Sequence, residues 1–376
     1  MRIDVIVSTL PPVLDGIGDY TADMVARLAR AADVRILTRT GQSPDAIAGV
    51  PIEAAFDATR PRTVLGLVPP VAARAPDWVL LQYNPFCFGK WGLNPYVGRC
   101  LRAIRAASPR TRVAVMVHET YVPFTSVKMT VMATWQRWQM GQVARAADML
   151  YCSCESWTQD VAAIVRGRLV QTLPVGSNIG IEPIARAEAR GRLGITDDQF
   201  VLGVFGVTHP SRMPDRARVA AVAVRSLGLN PVLLYLGPDK EAMVRELDDI
   251  PVIAGGVLPA DETSRRFAAM DIYLAAYTDG VSCRRTAFMT GIQHGIATVG
   301  THGIHTDSAL LRENGTAFLL AEAYNADEFA RNVLCLAGDA GARERIARAG
   351  AELYRAEFDR DTLANRLIET LQGWSG

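Results

Sequence analysis

Short apolar runs of strand length alternate with longer segments of helical period along this chain, and the whole series occurs twice. The first series places strands at residues 4–9, 34–38, 79–83, 113–117 and 149–154, with helices such as 20–31 and 127–147 between several of them. Strands joined by helical crossovers lie parallel, and continuous apolar runs suit strands covered on both faces, so the pattern predicts an α/β sheet. Turn formers interrupt the rhythm at Leu173-Pro174-Val175-Gly176-Ser177-Asn178-Ile179. After a charged helix the series restarts at residues 200–206. Further strands are expected at 232–236, 252–254, 272–276, 298–300 and 317–320, and a closing helix over 361–374. A chain of 376 residues exceeds the size at which one core usually stops growing. Two domains are expected, 1–176 and 177–357, with a C-terminal helix at 358–376.

A formal net charge of +1 argues against a nucleic-acid protein, which would carry a strongly basic domain. No apolar run approaches the length of a membrane span. The opening Met1-Arg2-Ile3-Asp4-Val5-Ile6-Val7 suits a strand rather than a secretory leader, since Asp4 interrupts it, and a cytoplasmic protein is expected. The six cysteines are scattered, so free thiols are expected. Cys152 and Cys154 share one face of a strand, where core packing is preferred over a zinc pair lacking two further ligands.

Two turns carry chemistry. Tyr277-Thr278-Asp279-Gly280-Val281-Ser282-Cys283-Arg284-Arg285 joins a strand to a helix that stops at His294-Gly295. It brings an acid, backbone amides and two cations to a helix N-terminus, whose unpaired N–H groups and dipole favour an anion such as phosphate. A Gly-rich turn, Pro11-Pro12-Val13-Leu14-Asp15-Gly16-Ile17-Gly18-Asp19-Tyr20, follows the first strand.

The order of elements, the Gly16-Ile17-Gly18 turn, the strand ending in His118-Glu119, the Pro174-Val175-Gly176-Ser177-Asn178 linker, the Asp279-Gly280-Val281-Ser282 turn and the His294-Gly295 helix stop together resemble retaining glycosyltransferases of family 4, which have the GT-B fold. The resemblance covers nearly the whole chain. It implies two Rossmann-like domains facing across a cleft, the donor nucleotide sugar against the C-terminal one, the acceptor against the N-terminal one, and a last helix crossing back to the first domain. It makes His118 the residue that meets the donor sugar and places a basic clamp for the diphosphate in the loop 206–213, where Arg212 is the choice. Gly16 and Gly18, the amides of Val281 and Ser282, Gly280 and one of Arg284 and Arg285, with Arg285 preferred, complete the expected diphosphate site. Asp279 is assigned to a sugar hydroxyl.

The family's two glutamates, eight residues apart, have no counterpart pair. One alignment puts Ser282 and Thr290 there and the other Asp279 and Ala287, so Thr290 is left to face the nucleoside with a single hydroxyl. No metal or cofactor is expected, because cations and amides suffice for the diphosphate. His302, His305 and Asp307 form a weak metal motif without a fourth ligand. Three classes stay open: a retaining transferase acting on a nucleotide sugar, a GT-B protein reduced to binding or assembly, and a dinucleotide oxidoreductase using Gly16-Ile17-Gly18. Tyr83, Asn84 and Trp91 mix aromatic faces with an amide, which suits a saccharide, lipid-linked or small-molecule acceptor. The helix around Trp135, Arg137, Trp138 and Met140 suits packing on the sheet, the preferred reading, or contact with a membrane.

Overall fold

The computed structural model describes every residue except Leu14, Arg166, Thr208, Asp239, Glu246, Asp248, Ser375 and Gly376, and only the backbone of Lys240, Ala242 and Val244. Leu14 and Thr208, which belong to two of the loops singled out above, therefore lie outside the described residues. The chain divides into two compact units, Met1–Pro174 with Leu363–Gly376, and Val175–Thr362.

The first unit holds β1 (Arg2–Ile6), β2 (Asp33–Arg39), β3 (Ile52–Phe56), β4 (Trp78–Tyr83), β5 (Arg112–Val117), β6 (Met149–Cys152) and β7 (Leu169–Thr172), in the spatial order β3-β2-β1-β4-β5-β6-β7. The second holds β8 (Gln199–Phe205), β9 (Asn230–Leu236), β10 (Val252–Ala254), β11 (Ile272–Ala275), β12 (Ala297–His302) and β13 (Leu319–Glu322), in the order β10-β9-β8-β11-β12-β13. Every ladder within the two sheets is parallel, as the alternation predicts. The apolar runs are buried: β4 has no exposed position, and Val79, Leu81, Val113, Val115, Val117 and Leu150 build one core. Leu202, Val204, Leu233, Tyr235, Ile272 and Leu274 do the same in the second sheet.

Two strands fall outside the expected set. Both β3 and β7 are edge strands with half-exposed positions, so neither carries the continuous apolar run that marks a strand covered on both faces. The first helix also begins earlier than its apolar period, at Gly16, because the Asp15 carboxylate caps it by accepting from the amides of Ile17 and Gly18.

Asp4 lies on β1 opposite Arg35 of β2 and is fully buried. It accepts from Arg35 Nη2 at 2.6 Å and from Arg74, so its charge is matched by two guanidiniums. In the C-terminal helix Arg360–Gln372, the side chains of Leu363, Leu367 and Leu371 are buried. Trp78 Nε1 donates to Leu371 O at 3.1 Å, which ties the end of the chain to β4 of the first unit. None of the six cysteines is in a disulfide, and burial pushes the thiols of Cys100 and Cys152 up, as suits inert core groups.

Candidate functional site

Each sheet reverses its strand order once, and open parallel sheets leave a crevice at that point, beyond the C-terminal ends of the two strands concerned. In the second unit those strands are β8 and β11. The loop after β8 supplies Gly206, His209, Ser211 and Arg212, and the turn after β11 supplies residues 277–285. The two segments meet through an isolated bridge between Arg212 and Tyr277.

Tyr277 is buried, and its ring carries two cations: the Arg285 guanidinium at 4.4 Å and that of Arg212 at 5.2 Å from the centroid. Arg285 Nη2 donates to both carboxylate oxygens of Asp279 at 2.7 Å and to Ser211 Oγ at 2.8 Å. Arg284 Nη2 reaches the same carboxylate at 3.0 Å. Arg212 Nη2 donates to Phe205 O at 2.8 Å. Two guanidiniums thus share one carboxylate and a third, Arg212, lies against the Tyr277 ring, leaving an excess of positive charge. Buried Nε groups of Arg212 and Arg285 have no hydrogen-bond partner among the described residues. Burial first, and then Arg284 beside it, lower the pKa of Arg285, while Asp279 opposes the shift.

The turn is held from behind by β12 and the loop that follows it. Gly280 has φ +85°, and a Cβ there would lie 2.2 Å from Thr306 Oγ1 and 2.3 Å from Gly303 N, so only glycine fits. Val281 N–H donates to Thr301 O at 2.8 Å and its side chain is in the core. That amide is spent within the fold, which corrects its assignment to phosphate. Cys283 N–H donates to Asp307 Oδ2 at 2.6 Å. Ser282 Oγ is buried and has no partner among the described residues. The helix Thr286–Gln293 begins at Arg285 without a side-chain cap, so its first amides keep no intrahelical or capping partner of that kind.

Thr290 does not face the turn. Its hydroxyl donates to Thr286 O at 2.8 Å and meets Ser177 Oγ at 2.9 Å, and the side chain is wholly buried. It packs the helix, which corrects its assignment to the nucleoside. His294 is likewise structural: Nδ1 donates to Thr290 O and Nε2 accepts from Ser264, and the ring stacks on Phe267 at 4.6 Å.

Sequence reasoning missed three members of this cluster. Tyr277 stood in the singled-out run without a role, because nothing local says that two arginines will lie on its ring. His209 Nδ1 accepts from the Ser211 hydroxyl at 2.8 Å and the Ser211 amide at 3.1 Å, which leaves Nε2–H as the outward donor. Partial burial, then Arg285 and Arg284, hold its pKa below the usual histidine value, so it is neutral at pH 7. A histidine and a serine flanking Pro210 in the loop with Arg212 were the available signal.

In the first unit the reversal lies between β1 and β4. Gly18 packs against the loop that follows β1, where a Cβ would lie 2.8 Å from Thr9 O, and its amide is taken by Asp15. The Asp15 carboxylate already occupies that helix N-terminus, which corrects the assignment of Gly18 to diphosphate; Gly16 is exposed beside the same acid. His118 follows β5, bonds Gln82 Oε1 through Nε2 at 2.7 Å and meets the Tyr20 ring edge-on at 5.1 Å. Burial drives its pKa down to about 3, so the imidazole is neutral. Tyr83 is fully buried, its hydroxyl accepting from Gln139 Nε2 at 3.1 Å and its ring stacked on Phe88, so it belongs to the core rather than to an acceptor surface. Asn84 Oδ1 accepts from the Phe86 amide and its Nδ2 donates to Glu119 Oε2 at 3.1 Å, the behaviour of a turn-capping residue. Trp91 is 59 % exposed, with Lys90 Nζ 5.4 Å from its ring centroid. Among the described residues no three His, Cys, Asp or Glu side chains gather as metal ligands, and Asp307 is bonded to the turn instead.

No family model and no curated relative matches the chain. Solved structures do. Anabaena Alr3699/HepE in complex with UDP and glucose superposes with a TM-score of 0.71 at 15% identity, covering 100% of both chains. Sucrose-phosphate synthase from Thermosynechococcus elongatus gives 0.73 at 14% identity over 99% of this chain and 98% of its own. WaaG, a glycosyltransferase involved in lipopolysaccharide biosynthesis, gives 0.65 at 15% identity over 99% and 100%. Identities this low speak for the fold alone, and the fold of this chain is the GT-B fold, two Rossmann-like units of parallel sheet covered by helices.

Proposed function

We propose that the chain is a metal-independent, retaining glycosyltransferase of the family 4 type that moves a hexose-type sugar from a nucleoside-diphosphate sugar to a saccharide, lipid-linked or small-molecule acceptor. The observation that carries this reading is the cluster of Arg212, Arg284 and Arg285 around Tyr277 and Asp279 at the strand-order reversal of the second sheet. Such a cluster suits a diphosphate, and complexes of the similarly folded HepE with UDP and UDP-glucose support a nucleotide-sugar donor.

In the proposed reaction the bond from the anomeric carbon to the diphosphate oxygen breaks and the electron pair leaves with the diphosphate. Arg212 and Arg285 stabilise that charge as it develops, with the uncapped helix amides and His209 Nε2–H as further donors. The acceptor oxygen bonds to the anomeric carbon on the same face, and its proton passes to the leaving phosphate. Asp279 holds Arg284 and Arg285 in place and offers its remaining lone pairs to a sugar hydroxyl. His118, kept neutral, offers Nδ1 as an acceptor to the donor sugar. Trp91 and Asn84 are the remaining acceptor candidates.

A panel of sugar nucleotides incubated in EDTA without acceptor tests the reading by release of free nucleoside diphosphate. Slow release from at least one donor, abolished in Arg212→Ala, is the expected result. Binding of nucleoside diphosphate without release, with or without candidate acceptors, would instead identify a catalytically silent GT-B protein.

A further inference from the structure

The helix Val127–Ala146 packs Met140, Val143 and Ala144 into the core, yet it also carries a second apolar face outward. Its core-facing side carries Gln136 and Gln139, both essentially without exposure. Gln136 accepts from Val122 N and donates to Trp91 O, while Gln139 accepts from Asn94 N and donates to Tyr83 Oη and Gly92 O. The opposite side presents Val127 (85 % exposed), Val131 (68 %), Trp135 and Trp138 (47 %), with Phe124 just before the helix. At 100° per residue the four helical positions fall within about 80° of one another. Lys128 borders this stripe on one side and Arg137 on the other. Met140 alone of the four residues named for this helix is in the core; Trp135 and Trp138 are not, so packing on the sheet does not account for them.

Charge follows the same pattern. Residues 86–147 hold nine Lys or Arg and a single acid, Glu119, in a chain of net charge +1. Beside Trp138 a groove of about 460 Å³ is lined by Phe124, Thr134, Arg137, Gly141, Arg145 and Ile164, so two guanidiniums border an apolar trough. Gly141 leaves it open: a Cβ there would meet Arg145 at 3.1 Å and Ile164 at 3.3 Å.

An exposed apolar stripe between cations is the arrangement that seats a helix in the interface of a bilayer, side chains among the acyl chains and cations at the headgroups. We infer that this face docks the protein peripherally on an anionic lipid surface, with a lipid phosphate between Arg137 and Arg145. The positive field selects the anionic leaflet over a neutral one, and over a second copy of this equally cationic face.

Sedimentation with vesicles tests this, using phosphatidylcholine alone and phosphatidylcholine mixed with phosphatidylglycerol. The wild-type protein is expected to pellet with the anionic vesicles only, less so at high salt, with a blue shift of tryptophan emission. Arg137→Gln with Arg145→Gln should weaken partitioning about twenty-five-fold, near fivefold per cation. Val131→Glu should abolish it, and because Val131 is exposed, its thermal melt should match wild type. No pelleting of the wild type, or pelleting of either variant equal to that of the wild type, overturns the inference. So does a concentration-dependent dimer in analytical ultracentrifugation that Val131→Glu dissolves, which would make a second copy the occupant.

Discussion

Asp279 ties two arginines to the turn after β11, so substituting it changes the charge there more than the shape. In Asp279→Asn the guanidiniums lose their anchor and the site gains a net positive charge. Affinity for nucleoside diphosphate should hold or rise by a few-fold while turnover falls at least tenfold, as calorimetry and donor turnover measured together would show. Equal loss of both would assign Asp279 to phosphate geometry instead. Protonation adds a second test at this scale. His118, His209 and His294 are all held below the ordinary histidine value of 6.5 by burial first. Below that pH the unfolded chain takes up protons that the folded chain refuses, so their contribution to stability is full above 6.5 and lost as pH falls through each folded value, which for His118 lies at about 3. Thermal melts should drop from pH 6.5 to 5, on the order of 1 kcal/mol per pH unit at most for buried His118 and much less for the exposed His209, and the drop should shrink in His118→Gln. That Asp279 and Arg285 share one strand-to-helix turn was legible in the sequence, because loop position and residue type sufficed for that placement. Tyr277 and His209 were not, since their roles arise from contacts between two loops, and Tyr83 and Thr290 were misplaced because burial decides their partners.

At the scale of elements, the turn after β11 depends on one glycine. Gly280→Ala places a methyl against Thr306 and the Gly303 backbone at positive φ, so a cost on the order of 3 kcal/mol is expected in chemical denaturation, with loss of nucleotide binding. An unchanged denaturation midpoint would mean that the turn rebuilds. Asp15→Ala removes a helix cap in the first unit and should cost about 1 kcal/mol without altering nucleoside diphosphate affinity. Buried strands were readable from apolar runs, whereas β3 and β7 were not, because an edge strand in contact with water needs no such run. Helix Val127–Ala146 was placed correctly, yet its faces were not, since its buried polar side is set by the loops that Gln136 and Gln139 hold.

The whole molecule is two parallel sheets in sequence, and that much was legible from periodicity alone. The buried Asp4 network shows what was not: an acid inside a strand looks like an interruption until Arg35 and Arg74, far along the chain, reach it. Asp4→Ala should cost about 3 kcal/mol by stranding those guanidiniums, with diphosphate binding by the second unit retained. The central claim, that Arg212 and Arg285 form a diphosphate clamp without metal, is tested most directly by calorimetric titration of nucleoside diphosphates into wild type and Arg285→Ala in EDTA. Micromolar binding to wild type, about a hundredfold weaker in the variant, is expected on the scale of lost charge-assisted donors. Binding that needs a divalent cation, or equal affinity in the two proteins, would contradict it.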